Sequence, residues 1–162
     1  MIEETMTMLT LISGGQTGVD RAALDFAIAN GLPHGGWCPS GRKAEDGVIG
    51  ARYLLKETES KRYDVRTRHN VLDSDATLIL NVGELVDGTL KTWQIAEREG
   101  KPVFVAQLDG ADSGAIASEV ADWIYLHAVR RLNVAGPRES KRPGIHGQAM
   151  SFLDSLRPVL MK

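Results

Sequence analysis

The chain predicts an α/β fold, a Rossmann-like three-layer sandwich built on a parallel sheet of five strands. Two observations predict it. Short apolar runs alternate with stretches of helical period along the whole of residues 9–156, and three of those runs lead straight into glycine-bearing loops. That alternation calls for right-handed crossovers and a sheet covered on both faces, with any ligand beyond the carboxyl ends of the strands.

The first strand is read at residues 9–12, after an acidic start that has none of the pattern of a signal peptide; residues 1–8 read as a loose tail and 9–162 as one domain. Val19, Ala22, Ala23, Phe26 and Ala27 then recur at helical spacing, Asn30-Gly31 supplies the stop, and Thr17 is the expected N-cap. A weak second strand falls at residues 34–39. Residues 39–62 hold Pro39, Gly41, Gly47 and Gly50 among charged residues, with a brief extended piece at 53–55, and read as a functional loop or lid. A helix over 64–73 precedes the apolar third strand at 76–82. Leu90, Trp93 and Ala96 mark the next helix, residues 102–107 the fourth strand, and Ile116, Val120, Trp123 and Ile124 another helix. Residues 132–135 form the fifth strand, and Ile145, Ala149, Phe152, Leu153 and Leu156 the stripe of the last helix.

Lys and Arg number 19 and Asp and Glu 21, for a formal charge of −2, so bulk charge gives no reason to expect nucleic acid or an anionic membrane as partner. Cys38 is the only cysteine, which excludes an intrachain disulfide, and His34, His69, His127 and His146 show no ligand spacing for a protein-built metal site. A soluble cytoplasmic protein is the expectation.

Three loops carry the candidate chemistry. Gly14-Gly15-Gln16-Thr17-Gly18 stands between strand and helix, where exposed N–H groups favour phosphate, although it has neither Gly-x-Gly-x-x-Gly spacing nor a Gly-Lys-Ser/Thr ending. Asp20 and Arg21 at the helix start add a carboxylate and a guanidinium. Replacing Gly15 by valine is expected to abolish ligand binding with the fold kept. The second loop, residues 83–89, has the glycine spacing of a Walker loop with Thr89 at the lysine position; the backbone at Gly88 and the hydroxyls of Thr89 and Thr92 remain as phosphate donors. The third holds Gly136, Arg138 and Ser140, with Arg138 and Ser140 as anion ligands. Arg42 and Glu45 in one charged stretch, and Arg66 in another, are placed to close over the pocket, and Asn81 at a strand end offers an amide to a ring or ribose. No Gly-x-Ser-x-Gly elbow appears, so nucleophilic catalysis has little support.

Gly14-Gly15-Gln16-Thr17-Gly18-Val19-Asp20-Arg21-Ala22-Ala23, Gly36-Trp37-Cys38-Pro39-x-Gly41-Arg42-x-Ala44-Glu45-Asp46-Gly47, Asn70-Val71-x-Asp73-Ser74-Asp75-x-Thr77-Leu78-Ile79 and Leu132-Asn133-Val134-Ala135-Gly136-Pro137-Arg138-Glu139-Ser140 occur in that order. Together they resemble the molybdenum cofactor carrier proteins, circularly permuted YpsA-like members of the superfamily that holds the LOG-type (lysine decarboxylase-like) nucleotide phosphoribohydrolases. The resemblance covers nearly the whole chain after Met8. It implies a Rossmann-like domain that binds a phosphorylated pterin such as the molybdenum cofactor (molybdopterin), or a nucleotide, in a homo-oligomer, dimer or tetramer. It also implies the strand order 2-1-5-3-4, which gathers the three loops into one pocket. LOG-type hydrolases carry Pro-Gly-Gly-x-Gly-Thr-x-x-Glu at the third-strand loop; here Gly88-Thr89-Leu90-Lys91-Thr92 puts Thr92 where the glutamate stands, while Arg66 matches the upstream arginine by its spacing to Asp75. Loss of that carboxylate favours holding a ligand over cleaving it. The alternatives are a nucleotide-processing enzyme that uses Asp20, Glu45 or Asp46 instead, and a nucleotide-sensing regulatory module.

Overall fold

The computed structural model describes residues 8–110 and 112–162, so residues 1–7 of the expected tail lie outside the described residues. Along the chain the strands are β1 Thr10–Ile12, β2 His34–Gly35, β3 Trp37–Cys38, β4 Lys43–Ala44, β5 Gly47–Val48, β6 Lys56–Glu57, β7 Ala76–Asn81, β8 Val103–Gln107 and β9 Arg131–Ala135. The helices are α1 Val19–Asn30, α2 Tyr63–Leu72, α3 Asp87–Arg98, α4 Ser113–Leu126, α5 Ile145–Ser155 and the short α6 Arg157–Leu160.

Five strands make the central sheet, in the order β2-β1-β9-β7-β8 with every pair parallel. Counting only the strands of this sheet, that is the order 2-1-5-3-4 expected from the resemblance. The last strand to be made therefore lies in the middle, with Leu132 opposite Leu11 on one side and Ala76 on the other.

The sheet's alternation sorts its side chains between two faces. Leu11, Leu78, Leu80, Leu132 and Val134 face a core completed by Val19, Phe26, Val120, Ala149, Phe152 and Leu153 of α1, α4 and α5. Val71, Ile95 and Ala96 form a smaller apolar cluster between α2 and α3, and Val103 packs against it. At roughly 1.5–3 kcal/mol per fully buried aliphatic side chain, the α1–α5 side is the main source of stability.

The weak second strand of the sequence reading divides in two. β2 pairs with β1, but at Gly36 (φ 136°) the chain leaves the central sheet, and β3 pairs with β6 instead. Between them β4 and β5 form a small antiparallel pair. Residues 39–62, the segment expected as a functional loop or lid and called the lid segment below, thus fold around an apolar cluster of their own, where Cys38, Ala44, Ile49 and Tyr53 pack on Leu24 of α1. The extended piece expected at 53–55 lies slightly later, at β6.

Candidate functional site

Three of the loops that leave the sheet at its carboxyl edge, together with one face of α2, enclose a cavity of about 380 Å³. Its walls come from Gly14, Gln16 and Asp20 after β1, from Val86 to Thr89 with Lys91 and Thr92 after β7, and from Ala135 to Arg138 with Lys141 and Arg142 after β9. Tyr63, Asp64, Arg66, Thr67 and Asn70 of α2, and Asn133 of β9, complete it. The volume lies within the range of small-molecule sites.

At the floor Arg66 Nη1 donates to Asp20 Oδ2 at 3.0 Å, with both side chains about nine-tenths buried. Burial pushes the Asp20 carboxyl above its ordinary value of 3.8, and the Arg66 guanidinium opposes that without cancelling it. Gly14 makes the pair possible, because a Cβ there would stand 1.5 Å from Arg66 Nη1. Tyr63 carries Lys43, Arg66 and Arg138 around its ring, at 4.5, 5.6 and 5.6 Å from the centroid. On the opposite wall Lys141 pairs with Asp87 at 3.2 Å, Arg142 Nε donates to the carbonyl of Val82 at 2.9 Å, and the ammonium of Lys91 has no ion pair or hydrogen bond among the described residues. Thr92, in the place of the hydrolase glutamate, donates its hydroxyl to Gly88 O at 2.9 Å.

Of the sequence candidates, Gly14, Gln16, Asp20, Arg66, Gly88, Thr89, Thr92, Gly136 and Arg138 line this cavity. The other eight lie elsewhere, most of them holding the lid against the loops. Arg42 spends its guanidinium on the carbonyls of Ile49, Gly50, Tyr53 and Leu55 at 2.7–3.3 Å, so it builds the lid from inside. Arg21 reaches Gly15 O and makes a bidentate pair with Asp46 at 3.0 and 3.1 Å. Glu45 accepts from the Thr17 hydroxyl, from the Ser140 hydroxyl at 2.6 Å and from Ser140 N at 3.2 Å, with Arg138 Nη1 3.8 Å away. Burial pushes the Glu45 carboxyl up, but the bonds from Ser140 and Thr17 prevail and hold it below the ordinary 4.5. Thr17 also accepts from Glu139 N and does not cap α1, whose N-cap is Gly18. Gly18 packs against the third loop, 2.3 Å from Pro137 O at its would-be Cβ. The side of Gly15 faces Leu55 and Ile49 of the lid at φ +80°, so valine there disturbs the lid packing and does not leave the fold untouched. Asn81 donates to Gly83 O at 2.9 Å behind the cavity wall.

Tyr63, Asp64, Lys91 and Asn133 also line the cavity without being among the sequence candidates, and Thr67, Lys141 and Arg142 join it from the stretches that carry Arg66 and Arg138. For α2 a signal existed: Tyr63, Arg66, Thr67 and Asn70 follow the i, i+3, i+4, i+7 spacing of one helix face. Among the described residues no group of three or more His, Cys, Asp or Glu is placed to hold a metal ion, and no helix is long and apolar enough to cross a membrane.

A permuted parallel sheet whose loops converge on a cavity ringed by charged side chains defines a Rossmann-like ligand-binding domain. The chain belongs to the circularly permuted YpsA SLOG family, whose sequence pattern matches residues 11–157. It is 43% identical to the "Putative molybdenum carrier protein" from Syntrophus aciditrophicus SB, whose crystal structure superposes with a TM-score of 0.90 over 93% of this chain and 95% of that one. No curated protein matches the chain.

Proposed function

We propose that this protein is a carrier that holds a phosphorylated pterin, the molybdenum cofactor, or a nucleotide-like ligand in the cavity under its three loops. The observation that carries the proposal is the donor set: Arg66, Lys91, Arg138, Lys141 and Arg142 all line one small cavity, beside the N-termini of α1 and α3. Cations and helix N-termini both favour phosphate. The likeness to a protein described as a molybdenum carrier supports a pterin cargo. Such a cargo brings its own dithiolene sulfurs to the metal, so the protein's part is to bind the phosphate and the ring, and Cys38, buried behind the lid, is not needed as a ligand.

The enzymatic alternative narrows to one residue. Glu45 and Asp46 lie off the cavity with their carboxyls held low, Asp46 by the Arg21 hydrogen bond. Asp64 is paired with Arg62 at 2.8 Å. Asp20 alone combines a place in the cavity with a carboxyl pushed up by burial, the condition of a general acid or base. Incubation with nucleoside monophosphates separates the readings: a carrier releases no free base, and release that disappears in Asp20→Asn would establish the enzyme. Mass spectrometry and metal analysis of protein from a cofactor-producing host test the cargo. A phosphorylated pterin with molybdenum is the expected result, and protein carrying neither would count against the carrier.

A further inference from the structure

Gln16 is 6% exposed and sits where β1 gives way to α1. Its Oε1 accepts the backbone N–H of Thr17 at 3.0 Å and that of Glu45 at 2.9 Å. Two N–H groups on one side of the amide settle its orientation, because the flipped amide would set its NH2 against both. Nε2 is thereby held on the other side, where it is buried and has no hydrogen-bond partner among the described residues, although Gln16 lines the cavity. Arg66 lines it too, and with Nε on Tyr63 O and Nη1 on Asp20 its Nη2 is likewise without a partner among the described residues. Of these two donors Gln16 Nε2 is the buried one, and a buried donor without a partner calls for an acceptor.

We infer that Gln16 is a specificity-determining residue, whose Nε2 donates to an acceptor oxygen of the ligand and whose orientation is fixed by the lid through the Glu45 N–H. The inference rests on the reading of the cavity as a site for a phosphorylated pterin or nucleotide-like ligand. The acceptor is a phosphoryl oxygen or a ring carbonyl oxygen. A ligand that presents an N–H at that point sets donor against donor and is rejected. Because Glu45 belongs to the lid, lifting the lid removes one of the two bonds that aim the amide. Ligand recognition and lid position are therefore coupled through one side chain.

The test is calorimetric titration of guanosine monophosphate and guanosine into the native protein, Gln16→Glu and Gln16→Met, with amide exchange at Glu45 as a second readout. Glutamate still accepts both backbone N–H groups but offers no donor, so guanosine monophosphate affinity falls at least ~10-fold while Glu45 stays protected. Methionine loses both affinity and protection. A fall for guanosine monophosphate with guanosine unaffected or unbound assigns the oxygen to phosphate; an equal fall for both assigns it to the ring. Native protein that binds guanosine monophosphate and a Gln16→Glu variant that binds it equally well would overturn this inference alone. Native protein that binds neither probe would overturn it together with the reading of the cavity.

Discussion

The loops after β1 and β7 look alike in sequence, each placing glycines between an apolar strand and a helix, but the structure uses them differently. After β1 the glycines are crowded: a Cβ would stand 1.5 Å from Arg66 at Gly14, 2.6 Å from Leu55 at Gly15 and 2.3 Å from Pro137 O at Gly18. After β7 the nearest atom to such a Cβ at Gly83 is 3.5 Å away, and at Gly88 nothing lies within 4 Å. The first loop is a junction at which the lid, α2 and the third loop all meet. The second is an open wall. Glycine is there required by neighbours in one case and by little more than the turn in the other.

The largest effect that would break this contrast is Gly18→Ala. The obstacle is backbone, at a positive φ of 78°, so the third loop must move. A loss of about 3 kcal/mol or more is expected in thermal or denaturant unfolding. Next comes Arg66→Met, which strands Asp20 beneath the first loop. About 3 kcal/mol is expected near neutral pH, because the buried Asp20 carboxyl must then either hold an uncompensated charge or take up a proton. An acid whose folded value is raised contributes stability below its ordinary value, 3.8 for Asp20, and loses it as the pH rises through the folded one. The variant should therefore be closest to native stability in acid and fall behind as the pH rises.

Glu45→Gln is expected to cost roughly 1 kcal/mol, read as faster amide exchange across Lys43–Val48. In the native protein the depressed Glu45 carboxyl contributes stability above the ordinary glutamate value and loses it as the pH falls through its own. Acidification below 4.5 should loosen the same amides, and Glu45→Gln should remove that part of the response. The smallest effect sharpens the contrast from the other side. Gly88→Ala lies in α3 with open space around it, so stability should stay unchanged or rise by up to ~1 kcal/mol from helix propensity. A loss as large as that of Gly18→Ala would erase the distinction between the loops.

Much of the fold was legible because β7 and β8 are mostly apolar runs and α5 has a clean stripe, signals that survive without neighbours. The strand order was not in the spacing. It came with the four motifs, since nothing local tells Leu132 that it will lie between Leu11 and Ala76. The split of β2 from β3 was hidden for the same reason: strands of two residues each are decided by tertiary partners rather than by pattern. At the site, glycine loops and charged residues pointed to the right region but not to which side each side chain would take. Arg42 and Arg66 looked equivalent in sequence, yet one is consumed by lid carbonyls and the other reaches the cavity floor. Thr17 looked like a cap and became a lid contact because Glu45, distant in sequence, is brought to it.

The central claim is that three loops separated along the chain act as one site for a phosphorylated ligand. Its most direct test is a titration of the native protein with guanosine monophosphate followed by backbone amide resonances. Gly14 and Gln16, Gly88 and Thr89, and Gly136 and Arg138 are expected to shift together along a single binding curve. Shifts confined to one loop, or absent from all three, would contradict it.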